Sequence, residues 1–462
     1  MTGSCTNVQH SGRKSDLGVF SAIARHAPLF FLHAGDIHYA NLQVTAQEAR
    51  SPDLARALYL QEYDRVLAQP RQAAFYRAVP LVHVWDDHDF GPNNANGTIP
   101  GRDGARAAYR VAVPHHPFAF AAGRDEEAGD VAARGGGGPV YHAFDTGAVR
   151  WVVTDLRSEK NVYASAELGG LTIMSPRQRA WLLAELARAA ADPAVAKVVW
   201  VSSMPWLDTA FKWGEYAGER AAIGRAVHAT PGLRAKLLMV SGDAHMLAVD
   251  DGSHNAWGGF PVLHASPLNA KHSVKGGPYS HGVHLGRHQF ALLSFSFGGG
   301  GDRDGGGDGE DAGSVCVRFS GRAYNKTSGT DREVLAWDSC GRPSSTAQLP
   351  VFYPLPGWYR RLRKWGKGAL PWPLYYPLWK QFHQRVVLSA WCMGLNNALG
   401  AAWDAVPAGG AAGAAVVAAA AAASTRILGG GRSGEGAFAG GDFVVHTAGA
   451  ILVLGWLAGF AL

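Results

Sequence analysis

The chain has 462 residues, of which 47% are hydrophobic and 17% are charged, and this composition suits one large domain, or two with an appendage, better than a disordered protein. The 43 Lys and Arg residues outnumber the 37 Asp and Glu residues, which gives a formal net charge of +6. Apart from a cluster at 360–367 the basic residues are spread along the chain, so a nucleic-acid-binding stripe is not expected. The charge favours a mild attraction for anionic substrates or lipid head groups.

The amino terminus predicts no export signal in the chain as given. Residues 1–16, MTGSCTNVQHSGRKSD, lack the basic, apolar and small-residue order of a signal peptide. A chain that begins earlier would leave this expectation open.

The four cysteines, at positions 5, 316, 340 and 392, are far apart and have no zinc-finger spacing. A thiolate-rich zinc site is therefore excluded. Cys316 and Cys340 could pair in an oxidising compartment, but two independent buried thiols are the favoured expectation.

Five apolar segments rich in β-branched and aromatic residues are predicted as buried strands. They are 28–39, 79–89, 149–159, 197–206 and 236–245. Each segment ends in polar residues. Ligands of α/β folds gather beyond the carboxyl ends of the strands, so these polar residues form the candidate site.

The segment 175–190, SPRQRAWLLAELARAA, predicts the clearest helix between these strands. Ser175 is expected to cap it, Pro176 suits its first position, and Gln178 is expected to complete a capping box. Strands that alternate with helices predict an α/β core.

Two glycine-rich segments are predicted as surface loops. One is GGGG at 135–138, and the other is GGGGDRDGGGDGEDAG at 298–313. The second superficially resembles a calcium loop, but it lacks the spacing and the closing Glu of an EF-hand. A flexible insertion is therefore favoured.

The composition divides the chain into three predicted regions. Residues 1–350 form the candidate catalytic domain. Residues 351–385 mix Trp, Tyr, Lys and Arg, as is typical of a membrane–water interface. Residues 386–462 form an apolar tail rich in Ala and Gly.

The tail contains candidate transmembrane helices. Residues 443–462 are the best candidate, because these 20 residues carry no formal charge, and 386–403 and 408–423 are weaker ones. Membrane attachment is favoured over a low-complexity tail. If 386–403 spans a membrane, the basic residues before it favour a cytosolic amino-terminal domain, but the side of the membrane stays open.

The stretch 82–94, VHVWDDHDFGPNN, concentrates charge at the end of a buried strand. Asp86, Asp87 and Asp89 repel one another and resist burial, so water or a cation must neutralise them. Side chains that can ligate one or two hard or borderline metal ions also lie at the ends of other predicted strands. Together the strand-end residues are Asp36, Tyr39, Asp86, Asp87, His88, Asp89, Asn93, Asn94, Asp155, Arg157, Asp243 and His245.

Several motifs, in this order, resemble those of the PhoD-like alkaline phosphatase and phosphodiesterase branch of the metallophosphoesterases. They are GDIHY at 35–39, WDDHD with the following Asn pair at 85–94, DLRSE at 155–159, the helix with Gln178, and GDAH at 242–245. The resemblance covers 3–325 and implies a two-sheet α/β sandwich flanked by helices. The first motif of that branch is a full strand ending in Ser-Cys, whereas here only Met1 and Thr2 precede Gly3, so the first strand is apparently truncated.

The resemblance also implies two or more metal ions, calcium and iron among them. Asp36 is similar to the bridging carboxylate, and Asp87 takes the place of a metal-binding Asn of the wider superfamily. Cys5 and Tyr39 match the thiolate and phenolate that bind iron. The full implied metal set is Cys5, Asp36, Tyr39, Asp87, Asp243 and His245.

His88 resembles the histidine that protonates the leaving oxygen, which makes it a predicted catalytic residue. Arg157 is predicted to act in catalysis and to bind substrate, with structural pairing to Asp155 or Glu159 as the alternative. Asn93 and Asn94 are predicted to bind substrate or, alternatively, to shape the turn after Pro92. Cys5 could also be a plain buried thiol. The nearby histidines are expected to be core or supporting residues: His33, His38, His83, His115 and His116.

The predicted function is the hydrolysis of phosphoric mono- or diesters by a metal-activated hydroxide, with His88 as the proton donor. The substrate would be a small molecule or a lipid head group. The alternative hypothesis is a membrane-anchored, catalytically weak metal-binding or scaffold protein.

Overall fold

The computed structural model describes residues 1–7, 17–122, 137–208, 212–297 and 315–340. All of them belong to one unit, Met1–Val351. Several predicted features lie outside the described residues: the whole loop at 298–313, part of the loop at 135–138, the linker at 351–385 and the whole tail at 386–462. Within the described residues, no helix is both long enough and apolar enough to cross a membrane.

The strands, in chain order, are β1 (Thr2–Gly3), β2 (Phe31–Ala34), β3 (Leu81–Val84), β4 (His142–Thr146), β5 (Val149–Val153), β6 (Ala164–Ser165), β7 (Gly170–Leu171), β8 (Lys197–Ser202), β9 (Leu237–Ser241), β10 (Leu247–Asp250), β11 (Val262–Ala265), β12 (Val283–His284), β13 (Gln289–Phe297), β14 (Val315–Tyr324) and β15 (Asp331–Asp338). The α-helices are α1 (Gly18–Arg25), α2 (Pro52–Leu67), α3 (Pro70–Ala78), α4 (Asp87–Phe90), α5 (Arg102–Ala112), α6 (Pro176–Ala191), α7 (Ala217–Ala229) and α8 (Leu233–Lys236). Short 3-10 turns cover Glu48–Arg50, Ala119–Ala122 and Lys212–Tyr216.

A six-stranded sheet has the order β15-β14-β13-β1-β2-β3. The strands β1, β2 and β3 are parallel, with Thr2 opposite Leu32 and Phe31 opposite Leu81. The strands β13, β14 and β15 complete the sheet as an antiparallel meander, and β13 joins β1 at Ala291.

A seven-stranded sheet has the order β12-β10-β11-β9-β8-β5-β4. Its centre is the parallel set β5, β8, β9 and β11, and its outer strands are antiparallel. The strands β6 and β7 pair separately as a small hairpin.

One apolar core contains side chains from both sheets. Leu32 and Val84 of the six-stranded sheet belong to the same buried cluster as Val153, Val201 and Val240 of the seven-stranded sheet. Because burial of such side chains contributes about 1.5–3 kcal/mol each, this shared core fixes the two sheets against each other.

The predicted α/β class is confirmed as a mixed α/β fold with several sheets. All five predicted strands are present, as β2, β3, β5, β8 and β9. Each is shorter than its apolar segment, because the polar residues at its carboxyl end lie in the following loop.

The predicted helix is α6, and Ser175 caps it by accepting a hydrogen bond from the Gln178 backbone N–H at 3.1 Å. The prediction that Gln178 completes a capping box is wrong. Its side chain instead accepts from the Asp155 backbone N–H at 2.8 Å and donates to the Asp155 carbonyl at 3.0 Å and to Glu159 at 2.7 Å. The buried amide therefore holds the loop after β5 in place.

The preference for two independent thiols is also wrong. Cys316 in β14 and Cys340, just beyond β15, form a disulfide across neighbouring antiparallel strands. Strand pairing brings their Cα atoms to 5.3 Å, a separation that suits a disulfide.

Candidate functional site

The site lies where the carboxyl ends of parallel strands from both sheets meet. The strands β1, β2 and β3 lead to Cys5, Asp36 and Asp86, and β9 of the other sheet leads to Asp243. A direct contact links the two sheets, because the Ser203 hydroxyl beyond β8 donates to Asp86 at 2.8 Å. The strand-end rule used on the sequence therefore brings most of the predicted residues together.

Two glycines allow the strand ends to approach this closely. At Gly242 an added Cβ would lie 2.0 Å from the Ala34 carbonyl oxygen of the other sheet. At Gly35, which has a φ of +102°, an added Cβ would lie 2.6 Å from the Asp86 Cβ. The Gly-Asp pairs of GDIHY and GDAH thus each place a carboxylate directly after a point of close contact between strand ends.

The Asp89 carboxylate ties two of the site loops together. It accepts hydrogen bonds from the backbone N–H groups of Asp36 at 2.7 Å, Ile37 at 2.8 Å and His38 at 3.2 Å. It also accepts from the Asp86 N–H at 3.0 Å, as part of the capping box of α4. Burial raises the pKa of the Asp89 carboxyl to about 7, although these hydrogen bonds act to lower it. Asp89 is therefore a structural residue that fixes the loops carrying Asp36 and Asp87.

In the part of the chain that the structure describes, three groups of side chains have donor atoms close enough to share a cation. Within each group all donor atoms lie within 4.8 Å of one another. The groups are Cys5, Asp36 and His245; Asp36, Asp87 and His88; and Asp86, Asp87 and Asp243. Since Asp36 and Asp87 each belong to two groups, the arrangement is suited to neighbouring cations with shared carboxylates.

The Tyr39 hydroxyl lies beside the first of these groups. It is 2.9 Å from Nε2 of His245, whose Nδ1 is 2.6 Å from the Lys271 carbonyl oxygen. The carbonyl oxygen fixes the histidine proton on Nδ1, so Nε2 carries the lone pair that faces the Tyr39 hydroxyl and could ligate a metal ion.

Buried carboxylate oxygens that lack a hydrogen-bond partner indicate whether these residues fit a metal ion. Oδ2 of Asp36 and Oδ1 of Asp87 are buried and have no hydrogen-bond partner among the described residues. Burial raises the pKa of Asp36 well above its ordinary value, and the neighbouring charge of Asp87 raises it further. A bound cation would satisfy both oxygens and relieve this repulsion, so the donor set fits a metal centre.

Several site residues have left-handed backbone conformations that residues other than glycine rarely adopt. The φ angles are +62° at Cys5, +61° at Asp36, +53° at Asp243 and +56° at His245. Such strain costs about 1–3 kcal/mol per residue and persists where the surroundings enforce it. Four of the six predicted metal ligands share this feature, which supports a functional role for the cluster.

His88 lies at the edge of the site and is half-buried. Its ring stacks on Tyr39 with the centroids 4.2 Å apart, and its Nδ1 is 2.6 Å from Oδ1 of Asn41. The His88 backbone N–H donates to Asp36 Oδ1 at 3.2 Å. Burial lowers the pKa of the imidazole, although the charge of Asp87 opposes this shift. Asn41 was missed from the sequence, because no motif includes it.

Arg157 is completely buried and contacts the aspartates of the DDHD motif. Its Nε donates to Asp86 Oδ1 at 2.6 Å, and its Nη2 lies 3.6 Å from Asp87 Oδ1. The structural alternative was pairing with Asp155 or Glu159, but the guanidinium pairs with Asp86. Burial acts to raise the pKa of Asp87, and the charges of Arg157 and Lys212 outweigh it and hold this pKa well below its ordinary value.

Asn93 and Asn94 occupy the centre of a turn in which the Ala95 N–H donates to the Pro92 carbonyl at 2.8 Å. The Asn94 backbone N–H also donates to Asp87 Oδ2 at 2.6 Å. The turn interpretation is thus borne out for the backbone, and Asn94 additionally orients a candidate metal ligand.

Two lysines at the site were not found from the sequence. Lys212 is nearly buried, and its Nζ lies 3.2 Å from Asp243 Oδ2 and 3.7 Å from Asp87 Oδ2. Lys275 donates to the Asp243 side chain at 2.6 Å. Neither lysine belongs to a motif, so only the tertiary structure reveals them.

The strand-end cluster on an α/β scaffold is the kind of site that handles phosphate esters with metal ions. Residues 1–260 match the family model of the PhoD-like phosphatases. This match covers more than half of the chain, so the chain belongs to the PhoD-like phosphatase family and is a phosphoric ester hydrolase. No curated protein matches the chain significantly.

We predict that Asp89→Asn lowers the free energy of unfolding by about 3 kcal/mol, because the new NH2 group leaves two of the four backbone N–H donors without an acceptor. Urea unfolding followed by circular dichroism measures this change. The matched control is Asp53→Asn on the exposed start of α2, with an expected change below about 0.5 kcal/mol. Equal values for the two variants would contradict the role given to Asp89.

Proposed function

We propose that this chain hydrolyses phosphoric mono- or diesters at a metal centre formed by Cys5, Asp36, Tyr39, Asp87, Asp243 and His245. The observation that carries the proposal is the sharing of Asp36 and Asp87 between neighbouring ligand groups at the strand ends. When bound, the metal ions would supply an activated water and neutralise charge on the phosphoryl group. The surrounding scaffold is proposed to be the two-sheet metallophosphoesterase sandwich.

The donor chemistry supports iron and calcium as the ions. Thiolate and phenolate from Cys5 and Tyr39, together with the His245 imidazole, suit iron. The carboxylates of Asp87 and Asp243 suit a hard cation such as calcium. Asp36 belongs to the group with Cys5 and His245 and also lies in a ligand group with Asp87.

His88 is proposed to protonate the leaving oxygen of the ester. The Asn41 side-chain oxygen Oδ1 can accept from Nδ1–H of His88 in either protonation state of the ring. Proton exchange is thereby assigned to Nε2, and stacking on Tyr39 holds the ring plane.

Arg157 is proposed to position Asp86 and Asp87, because its complete burial leaves no exposed surface for a substrate. Substrate binding is proposed for the exposed pair Asn93 and Asn94, next to the Asp87 carboxylate. The substrate would be a small phosphate ester or a lipid head group.

Metal removal tests the proposal. We expect the full-length protein to hydrolyse a nitrophenyl mono- or diester, to lose this activity on chelation, and to regain it with Fe and Ca²⁺. Asp36→Asn should bind less metal and lose about 100-fold or more of kcat/KM, because it removes the shared carboxylate. Asp53→Asn is the control and should behave as the wild type. A metal-loaded wild type inert toward both ester classes would overturn the proposal and favour the scaffold hypothesis.

For His88→Ala we expect kcat to fall by roughly 10²–10⁴ with an alkyl phosphate ester, while the metal content stays unchanged. The loss should be much smaller with a nitrophenyl ester, because nitrophenolate leaves without protonation. Asn41→Ala should show a weaker form of the same selectivity. Equal losses with the two leaving groups would contradict the role of His88 as proton donor.

Membrane attachment through residues 443–462 is also proposed, supported by their 20-residue uncharged length. We expect full-length protein to stay in the membrane pellet during sodium carbonate extraction and a chain truncated after residue 385 to be released. Release of both proteins would contradict a spanning segment.

A further inference from the structure

The Lys212 ammonium lies inside one of the three candidate ligand groups. It is within 4 Å of Asp87 Oδ2 and Asp243 Oδ2, two of the three carboxylates of the group Asp86, Asp87 and Asp243. Asn94 Oδ1 provides a further oxygen at 3.4 Å from Nζ. Two carboxylates and an amide oxygen are the surroundings that a divalent cation would also select.

Charge is distributed unequally over the candidate metal cluster. The group Asp86, Asp87 and Asp243 has ion pairs with Arg157, Lys212 and Lys275. In the described part of the chain, Asp36 and Cys5 of the opposite group have no ion pair with a Lys or an Arg. The negative charge of Asp86, Asp87 and Asp243 is therefore balanced by cationic side chains. The charge of Cys5 and Asp36 has no such balance from a Lys or an Arg in the described part of the chain.

Lys212 differs from the other two cations of this end. Arg157 is completely buried and pairs with Asp86, while Lys275 also donates to the Asp243 backbone carbonyl at 2.5 Å. Lys212 contacts the side-chain oxygens of both candidate ligands, and its backbone has a left-handed φ of +51°. An ammonium and a divalent ion cannot both occupy these oxygens without strong repulsion.

We propose that Lys212 is an intramolecular cation that replaces a metal ion at Asp87 and Asp243, so that a divalent ion binds there only by displacing the ammonium. This inference rests on the proposed metal centre but not on turnover. The group Cys5, Asp36 and His245 can then bind a metal ion without displacing a cationic side chain. The group Asp86, Asp87 and Asp243 can bind one only after the Lys212 side chain has moved. The affinity of this second group for a divalent ion is therefore lower than three carboxylates without a competing ammonium would have.

Calcium binding by the metal-free, full-length protein tests this inference. We expect Lys212→Met to bind Ca²⁺ about tenfold more tightly than the wild type in a calorimetric titration, equivalent to about 1.4 kcal/mol. The melting temperature of its metal-free form should fall, because the carboxylates lose a counter-ion, and saturating Ca²⁺ should restore it. Lys212→Arg keeps the charge and should bind Ca²⁺ as the wild type does.

Lys160→Met is the matched control, because Lys160 is also buried nearby but lies over the Tyr216 ring and forms no ion pair with the three carboxylates in the described structure. Its Ca²⁺ affinity should stay within about twofold of the wild type. If Lys212→Met does not fold without metal, Lys212→Gln, which can still hydrogen-bond to Asp243, decides by the same criterion.

Unchanged or weaker Ca²⁺ binding in the neutral Lys212 variants would overturn the inference, since a lysine that merely supports the ligands lowers affinity when it is removed. Hydrolysis is measured on the same wild-type preparation. An inert wild type would overturn the proposed function alone, because the calcium titration decides on Lys212 independently of catalysis.

Discussion

The site depends on a single carboxylate that binds backbone and not substrate. Asp89 accepts four N–H groups from two loops that follow neighbouring parallel strands. Those loops carry Asp36 on one side and Asp87 with His88 on the other. Because the donors are backbone groups, the carboxylate fixes the path of the chain and not only one rotamer. This explains how Asp36 keeps a left-handed conformation that would otherwise relax.

The second constraint is close contact between the two sheets at their strand ends. Gly35 and Gly242 remove the side chains that would separate them, and Arg157 and Ser203 reach from the seven-stranded sheet to Asp86. Buried ion pairs of this kind contribute little net stability, since desolvation offsets most of the attraction. Their effect is geometric, because each pair is satisfied only when the two sheets keep one relative position. The apolar core shared by both sheets stabilises the fold and so offsets the cost of burying the charged groups of the site.

The sequence predicted the parts of the molecule that local patterns encode. Apolar segments ending in polar residues identified five strands, and the strand-end rule then placed Asp36, Asp87 and Asp243 together. The same reasoning failed where contacts depend on distant segments. Lys212 meets Asn94 across 118 positions of sequence, and nothing in its own surroundings marks it. The Cys316–Cys340 pair required the register of two antiparallel strands, and Gln178 required knowledge of which loop lies over the start of α6. A capping-box pattern considers only the residues at one helix end. It cannot predict that backbone groups of a neighbouring loop form hydrogen bonds with the same side chain.

The cationic side chains bear on how such an acidic site folds at all. Four buried aspartates at adjoining strand ends would repel one another in a chain without metal. Here Arg157, Lys212 and Lys275 compensate the Asp86, Asp87 and Asp243 end from within the chain. At the other end, burial raises the pKa of Asp36 well above its ordinary value, which favours its neutral form. Both effects lower the repulsion between the aspartates when no metal is bound. In the proposed metal centre, a divalent ion would take the place of the Lys212 ammonium between Asp87 and Asp243. The oxygens of these two carboxylates already face a cation, so the ligand geometry would not need to be built by the metal.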